Sequence, residues 1–318
     1  MKAKTEAPER LEVMRPTKGA KIRKRLVESW PWYLMALVPI IYTLIFDYAS
    51  MYGVVMAFQD FKASKGFFRS TFVGFKHFER FFKYPGFAKM MGNTLRISLL
   101  SLATFPCSIL FALFLDEILH KKYKKTAQMI TYMPHFMSEV IVCALVVMLL
   151  DTEIGPLAKI FAFLTGEKYD TMADPDAFPW VYVLSGLWKN LGWGSILYLS
   201  GLSSVSSEEI EAARIDGASR FQTMWYIKLP AIIPSIAISL ILRFGNMFNV
   251  GFQKIMLLQN DLTRDVSEVL GTYIYSIGLR GGQYSYAAAI GLVNNVMNLA
   301  IILIANRICK KITSVGLA

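Results

Sequence analysis

The fold class this sequence predicts is an all-helical bundle embedded in a membrane, and three observations predict it. Of 318 residues, 54% are hydrophobic and only 18% charged, whereas soluble domains usually hold about 25% charged residues. The apolar residues gather into six segments long enough to cross a bilayer. The stretches between them are too short to bury cores of their own, so catalysis in a separate soluble domain is excluded. The same composition excludes disorder and collagen-like repeats. Three scattered cysteines, Cys107, Cys143 and Cys309, supply neither a disulfide framework nor a metal cluster.

The expected spans are 32–57, 93–115, 126–150, 179–202, 230–252 and 287–306. The first holds one charge, Asp47, and the second is uncharged from Ile97 onward. The third contains Pro134, read as a turn or kink, and Glu139. The fourth encloses Lys189 and the fifth Arg243, while the sixth lies in a charge-free stretch from Gly281 to Asn306. Together they form a membrane domain over 30–310, flanked by a basic tail at 1–29 and a short tail at 311–318. The apolar run after the basic leader exceeds a signal-peptide core, so the first helix is expected to remain in the protein.

Lys and Arg set the orientation. The N-terminal tail, the C-terminus and the loops following the second and fourth spans hold nineteen of them, against twelve in the alternate loops. The excess places both termini in the cytoplasm. The dissenting loop, 59–92, interleaves seven basic residues with phenylalanines and is read as an amphipathic segment on the outer surface. The net charge of +11 suits an anionic lipid surface rather than nucleic acid.

No phosphate-binding G-x-x-x-x-G-K-[ST] loop, no H-E-x-x-H and no G-x-S-x-G occurs. His77, His120 and His135 fall on separate segments. No inverted repeat is visible. The chain has the character of a conduit without an engine.

The cytoplasmic loop 203–229 is the informative one. Ser206 or Ser207 can cap a helix whose first turn is acidic, with Glu208, Glu209 and Glu211. Ala212 and Ala213 keep that helix thin, Gly217 permits a sharp turn, and Leu229-Pro230 opens the fifth span. A thin, capped helix on a short cytoplasmic face suits docking by another protein. The sequence Glu211-Ala212-Ala213, then Asp216-Gly217, then Ile227 and Leu229-Pro230 resembles the EAA loop of bacterial ABC-importer permeases, with matching spacing. Met133-Pro134-His135-Phe136, the run Trp188 to Ser195 with Tyr198-Leu199, the stretches Phe252-Gln253 to Leu258 and Val269 to Tyr275 with Gly278-Leu279, and Tyr284 to Leu292 are similar to the oligosaccharide and polysaccharide branch of that family.

That resemblance implies the type I permease fold, with the EAA segment as a coupling helix seated in a cleft of an ATPase. It also implies the partners: a second homologous permease subunit, a cytoplasmic ATPase dimer that carries the ATP and Mg, and an extracytoplasmic solute-binding protein. The implied cargo is an oligosaccharide moving inward across the cytoplasmic membrane. No cofactor or metal is expected in this chain, and no enzymatic activity of its own.

Sugars are held by aromatic stacking and planar hydrogen-bonding groups, so candidate pathway residues are polar or aromatic side chains inside the bundle. Arg243, Asn246, Asn249 and Gln253 share one face if the fifth helix runs through 252. Trp188, Lys189, Asn190 and Trp193 lie on the fourth span, and Asn294, Asn295 and Asn298 on the sixth. Polar groups at such depth face the interior or a water-filled path, or bond neighbouring helices. Trp188 and Trp193 also fit an interfacial aromatic belt. Glu139 and Asp47 are expected to pair with the intramembrane cations. Two other classes remain open: an ion- or proton-coupled transporter relaying charge through Asp47, Glu139, Lys189 and Arg243, and a multipass membrane enzyme, for which no catalytic cluster is found. A third possibility stays within the permease class: an ABC permease for peptide, phosphate or another solute.

Overall fold

The computed structural model describes residues 27–313 and Gly316. The nine basic residues of the N-terminal tail and most of the C-terminal tail therefore lie outside the described residues. The chain divides into two compact units, 1–53 and 54–318. Helix α1, Trp30–Phe58, begins in the first. Its first fourteen residues carry no buried side chain although they include Trp, Leu, Ile and Tyr, the composition of a surface that requires lipid or protein around it.

In the second unit a two-stranded ribbon, β1 Gln59–Asp60 and β2 Thr71–Phe72, is followed by α2, Lys76–Phe82. Helix α3, Phe87–Asp116, is long and apolar enough to cross a membrane, with a break at Thr104. Pro106 causes the break, because it has no N–H for the Leu102 carbonyl; Thr104 Oγ1 donates instead to Ser101 O at 2.7 Å. Helices α4, Lys121–Phe136, and α5, Glu139–Leu150, meet at 104°. The hinge falls after Pro134, where the chain tightens into a 3₁₀ turn, becomes extended at Met137, and restarts when Ser138 accepts a bond from Ile141 N.

The rest comprises α6 Pro156–Thr165, α7 Phe178–Leu202, α8 Ser207–Ile215, α9 Arg220–Phe244, α10 Phe252–Leu258, α11 Leu270–Tyr275 and α12 Tyr284–Thr313. Among the described residues, α1, α3, α9 and α12 are span candidates by length and composition, with the bent α4–α5 pair as a fifth. The expected fourth span coincides with α7, which has 25 residues but too much polar content to join that set.

The fifth span departs most from expectation. Instead of 230–252, helix α9 begins at Arg220 and ends at Phe244. It starts early because Ser219 and Gln222 form a reciprocal capping box and a π turn over Met224–Lys228 carries the helix into Leu229. It ends early because the Asn246 side chain takes the Leu242 carbonyl at 3.1 Å, while Asn298 of α12 takes the Phe248 amide at 3.0 Å. Arg243, Asn246, Asn249 and Gln253 therefore do not share one helical face.

Helix α7 is the central post. Phe105, Ile109, Leu113, Tyr198, Leu202 and Ile232 form a buried cluster joining α3, α7 and α9. A second cluster joins α3, α5, α7 and α10 through Ile97, Val146, Val181 and Ile255. Close approach is built into the post: a Cβ at Gly192 would lie 2.4 Å from Thr131 O of α4. Small residues allow such backbone contact where apolar burial gives no preference between lipid and protein.

Candidate functional site

Two regions carry the candidate residues. The first is the loop around α8. Ser206 caps it, its Oγ accepting Glu208 N at 3.2 Å, and no residue of the helix is buried. Its end is a Schellman turn: Ala218 N donates to Ala213 O at 2.9 Å, and Gly217 adopts φ +86°. A side chain at that φ is strained. Glu211, Ala212, Asp216 and Gly217 are exposed and Ala213 is half-buried. Ile215 is 86% exposed and Tyr226 79%, an apolar surface on an otherwise polar loop.

Ile227 and Leu229 are half-buried and Pro230 is exposed, while Lys228 between them is buried. Its Nζ donates to Asp116 Oδ2 at 2.8 Å and to Glu117 Oε1 at 2.6 Å, and Lys124 Nζ donates to Asp116 Oδ1 at 2.9 Å. Two ammonium groups thus balance two carboxylates and fasten the return of the loop to the end of α3 and the start of α4. Sequence reasoning missed this network, although Asp116-Glu117 at the end of an uncharged run was the available signal.

The second region is a cavity of about 590 Å³ between α3, α5, α7 and the chain following α9. Its lining includes Glu139, Asn190, Trp193, Arg243, Gln253 and Lys254. Arg243 Nη2 donates to Ser101 O at 2.6 Å and to Thr104 Oγ1 at 3.3 Å, so the break in α3 supplies the groups that orient it. Lys254 is buried; its Nζ donates to Tyr182 O at 2.7 Å and lies over the Tyr182 ring. Glu139 pairs with Lys189, as expected of an intramembrane carboxylate. Asp47 belongs to the first unit, and Arg243, the cation expected within the fifth span, bonds to oxygens that carry no charge.

Trp193 stacks on His135 with centroids 4.3 Å apart, and His135 Nδ1 lies 3.0 Å from Asn190 Oδ1. The 133–136 turn therefore props one wall of the cavity. Trp188 is elsewhere, in an apolar cavity of about 640 Å³ with Trp180 and Leu184. Asn246 and Asn249 line a smaller chamber of about 200 Å³ that shares Arg243 and Tyr182 with the first. Asn249 Oδ1 accepts from Asn294 at 2.8 Å and from Asn298 at 3.2 Å, so these α12 amides hold the segment after α9 in place. Lys254 and Tyr182 were missed; a lysine inside the apolar 252–258 run was the signal for the first, and nothing in the sequence marked the second.

Over residues 105–313 the chain matches the family described as binding-protein-dependent transport system inner membrane component. The chain belongs to that family. This permease is 40% identical over 288 residues to protein LplB of Bacillus subtilis, spanning 90% of this chain and 91% of that protein. It is 39% identical over 306 residues to the polygalacturonan/rhamnogalacturonan transport system permease protein YteP of the same organism, covering 96% and 95% respectively. Among solved structures it resembles a chain of a bacterial alginate ABC transporter in complex with an alginate pentasaccharide-bound periplasmic protein, with TM-score 0.83, 38% identity and coverage of 93% of this chain and 100% of that one. The permease is thus a membrane component of an ABC importer, and members of its family are not themselves enzymes. The type I permease fold expected from the EAA resemblance is borne out.

Proposed function

We propose that this permease is one half of a heterodimer that passes an oligosaccharide inward, driven by ATP hydrolysed in a cytoplasmic ATPase dimer and supplied by an extracytoplasmic binding protein. Both termini and the loop 203–229 lie in the cytoplasm, and 30–310 forms the membrane domain. Helix α8 is the coupling helix, and Glu211, Ala212, Ala213, Asp216 and Gly217 are its contact surface. Ile227, Leu229 and Pro230 join it to α9. Closure of the ATPase dimer displaces α8, and the buried Lys228 link passes that displacement to α3 and α4. The cavity lined by Trp193, Arg243 and Gln253, with the chamber at Asn246 and Asn249, is this subunit's share of the path. Lys189 holds Glu139 at its wall, Asn294 and Asn298 support it from α12, and Trp188 borders lipid or partner.

The observation that carries this reading is α8 itself: a helix capped at both ends, with no buried residue, ending in exposed Ile215, in a loop whose return at Lys228 is fastened by a buried ion network. A solvent-facing helix gains nothing from such a mounting unless something pushes on it. The test is Gly217→Trp. The variant should insert and fold but lose transport-coupled ATPase activity, because the side chain is strained at φ +86° and protrudes from the docking surface. Normal transport in that variant would overturn the docking assignment. Affinity capture of the tagged permease from native membranes should bring with it a second permease, a P-loop ATPase and a solute-binding protein.

A further inference from the structure

Helix α4 is fastened at its two ends, and no side chain of 121–132 between them is buried within the chain. Near its start, Lys124 Nζ donates to Asp116 Oδ1 at 2.9 Å. The same carboxylate accepts Lys228 Nζ through Oδ2 at 2.8 Å, so α4 is tied directly to the return of the 203–229 loop. Roughly 16 Å of helix farther on, residues 131–139 grip a short patch of α7. Thr131 O lies against Gly192, where a Cβ would sit 2.4 Å away. The His135 ring is parallel to Trp193, with 4.3 Å between centroids and 4° between planes, and Phe136 meets the same indole at 85° with centroids 5.6 Å apart. Asn190 Nδ2 donates to Gly186 O at 3.0 Å. That turns Asn190 Oδ1 toward His135 Nδ1, 3.0 Å away, and makes the ring nitrogen the donor. Past the hinge, Glu139 pairs with Lys189.

The two halves of the bent pair are mounted differently. Cys143 and Val146 of α5 are buried in one cluster with Ile97, Val181 and Ile255. Helix α4 has no such anchorage over 121–132. Met137 and Ser138 are extended, so no helical ladder joins the halves, and a shift of α4 is not forced on the core around α5.

We propose that α4 is the strut that carries displacement of the loop around α8 to the cavity wall, with His135 as the positioning residue that makes Trp193 and Asn190 follow it. The inference rests on the reading of α8 as the coupling helix and adds the route its motion takes. A continuous helix is stiff along its axis, and the extended residues 137–138 absorb the change in direction, as hinge residues do. The two contacts of His135 are complementary. A parallel stack fixes the separation of two rings but lets them slide past each other. The hydrogen bond to Asn190 opposes the slide. Because Asn190 and Trp193 both line the cavity, movement of α4 along its axis reshapes that wall.

The experiment labels the assembled transporter, permease pair with ATPase dimer and binding protein, with fluorotryptophan. Its fluorine NMR signals are compared before and after trapping with Mg-ATP and vanadate, and retained nucleotide measures the trapping. Two native indoles report the two ends: Trp225 in the return of the loop, with its ring 5.8 Å from Phe221, and Trp193 at the cavity. Trp225→Phe and Trp193→Phe assign the signals. Both signals should shift on trapping in the parent. In His135→Ala, Trp225 should shift as before, while the ratio of displaced to undisplaced Trp193 falls by roughly two- to thirtyfold, the span for residues on a coupling route. His135→Phe, which keeps the stack and loses the hydrogen bond, should recover part of the ratio. Lys124→Met cuts the strut at its other end and should give a similar loss. Adding it to His135→Ala should change little further, because contacts in series are not independent. His135 is half-buried, so its truncation opens no sealed void, and a normal Trp225 response reports an intact fold. An unchanged Trp193 displacement in His135→Ala overturns the assignment, as does a double variant whose losses multiply. A Trp193 signal that stays in place in the parent while Trp225 shifts overturns the strut and leaves α8 as the coupling helix. A Trp225 signal that stays in place in the parent with nucleotide trapped overturns the coupling reading and the route with it.

Discussion

The loop around α8 and the cavity beside α7 treat charge in opposite ways. At the loop, Lys228 and Lys124 are matched by Asp116 and Glu117 within 2.9 Å, and the exposed surface includes the apolar Ile215, Phe221 and Tyr226 among its charged residues. In the cavity, Glu139 pairs with Lys189, and among the described residues no carboxylate lies within 4 Å of Arg243 or Lys254. A neutralised network serves as a fastening, since every member is satisfied and none invites a ligand. The same residue types thus form a neutralised network in one region and, in the other, cations held by uncharged oxygens.

The comparison is broken most severely by removing the buried cation of the loop. Lys228→Met should leave Asp116 and Glu117 with only Lys124 between them and cost about 3 kcal/mol. A lowered unfolding temperature of the purified transporter, partly restored by Lys228→Arg, would register it. If Lys228→Met were as stable as the parent, the network would not be the joint described here.

A smaller effect is expected where the two regions share the α7 post. Gly192→Leu would drive a side chain against the Thr131 backbone, at a site where even a Cβ would sit 2.4 Å from the carbonyl oxygen. Overpacking of this kind costs about 2 kcal/mol. It should separate α7 from α4 and unstack Trp193 from His135, seen as a change in tryptophan fluorescence. Unchanged fluorescence and stability would show that α7 can move away from α4 without cost. The smallest change is Ser206→Ala, which removes the N-cap of α8 and should cost about 1 kcal/mol locally. Faster hydrogen exchange at Glu208 and Glu209, with the rest of the chain unaffected, would confirm that α8 is stabilised locally and not by burial.

Much of this organisation was legible in the residues. The α8 cap, its acidic first turn and the turn at Gly217 follow from local chemistry, because each depends on neighbours a few positions away. Pro134 foretold a bend between α4 and α5 for the same reason, although its 104° magnitude did not follow. The pairing of Lys189 with Glu139 was anticipated only as a class of contact. The end of α9 was misread, because apolar periodicity continues past Phe244 while a competing amide from α12 stops the helix. The capping box at Ser219 and Gln222 was written in the sequence and would have placed the start of α9 correctly.

The sequence by itself determined that this chain lives in a membrane, which segments are helical, and where the exposed loop around α8 lies, since hydropathy, capping and glycine conformation act at short range. Only the tertiary structure decided which charges are satisfied. Lys228 and Asp116 are 112 positions apart, and Arg243 and Ser101 are 142. Whether a lysine is neutralised by carboxylates or held by a carbonyl depends on which distant oxygens packing brings within 3 Å of it, and no local pattern encodes that distance.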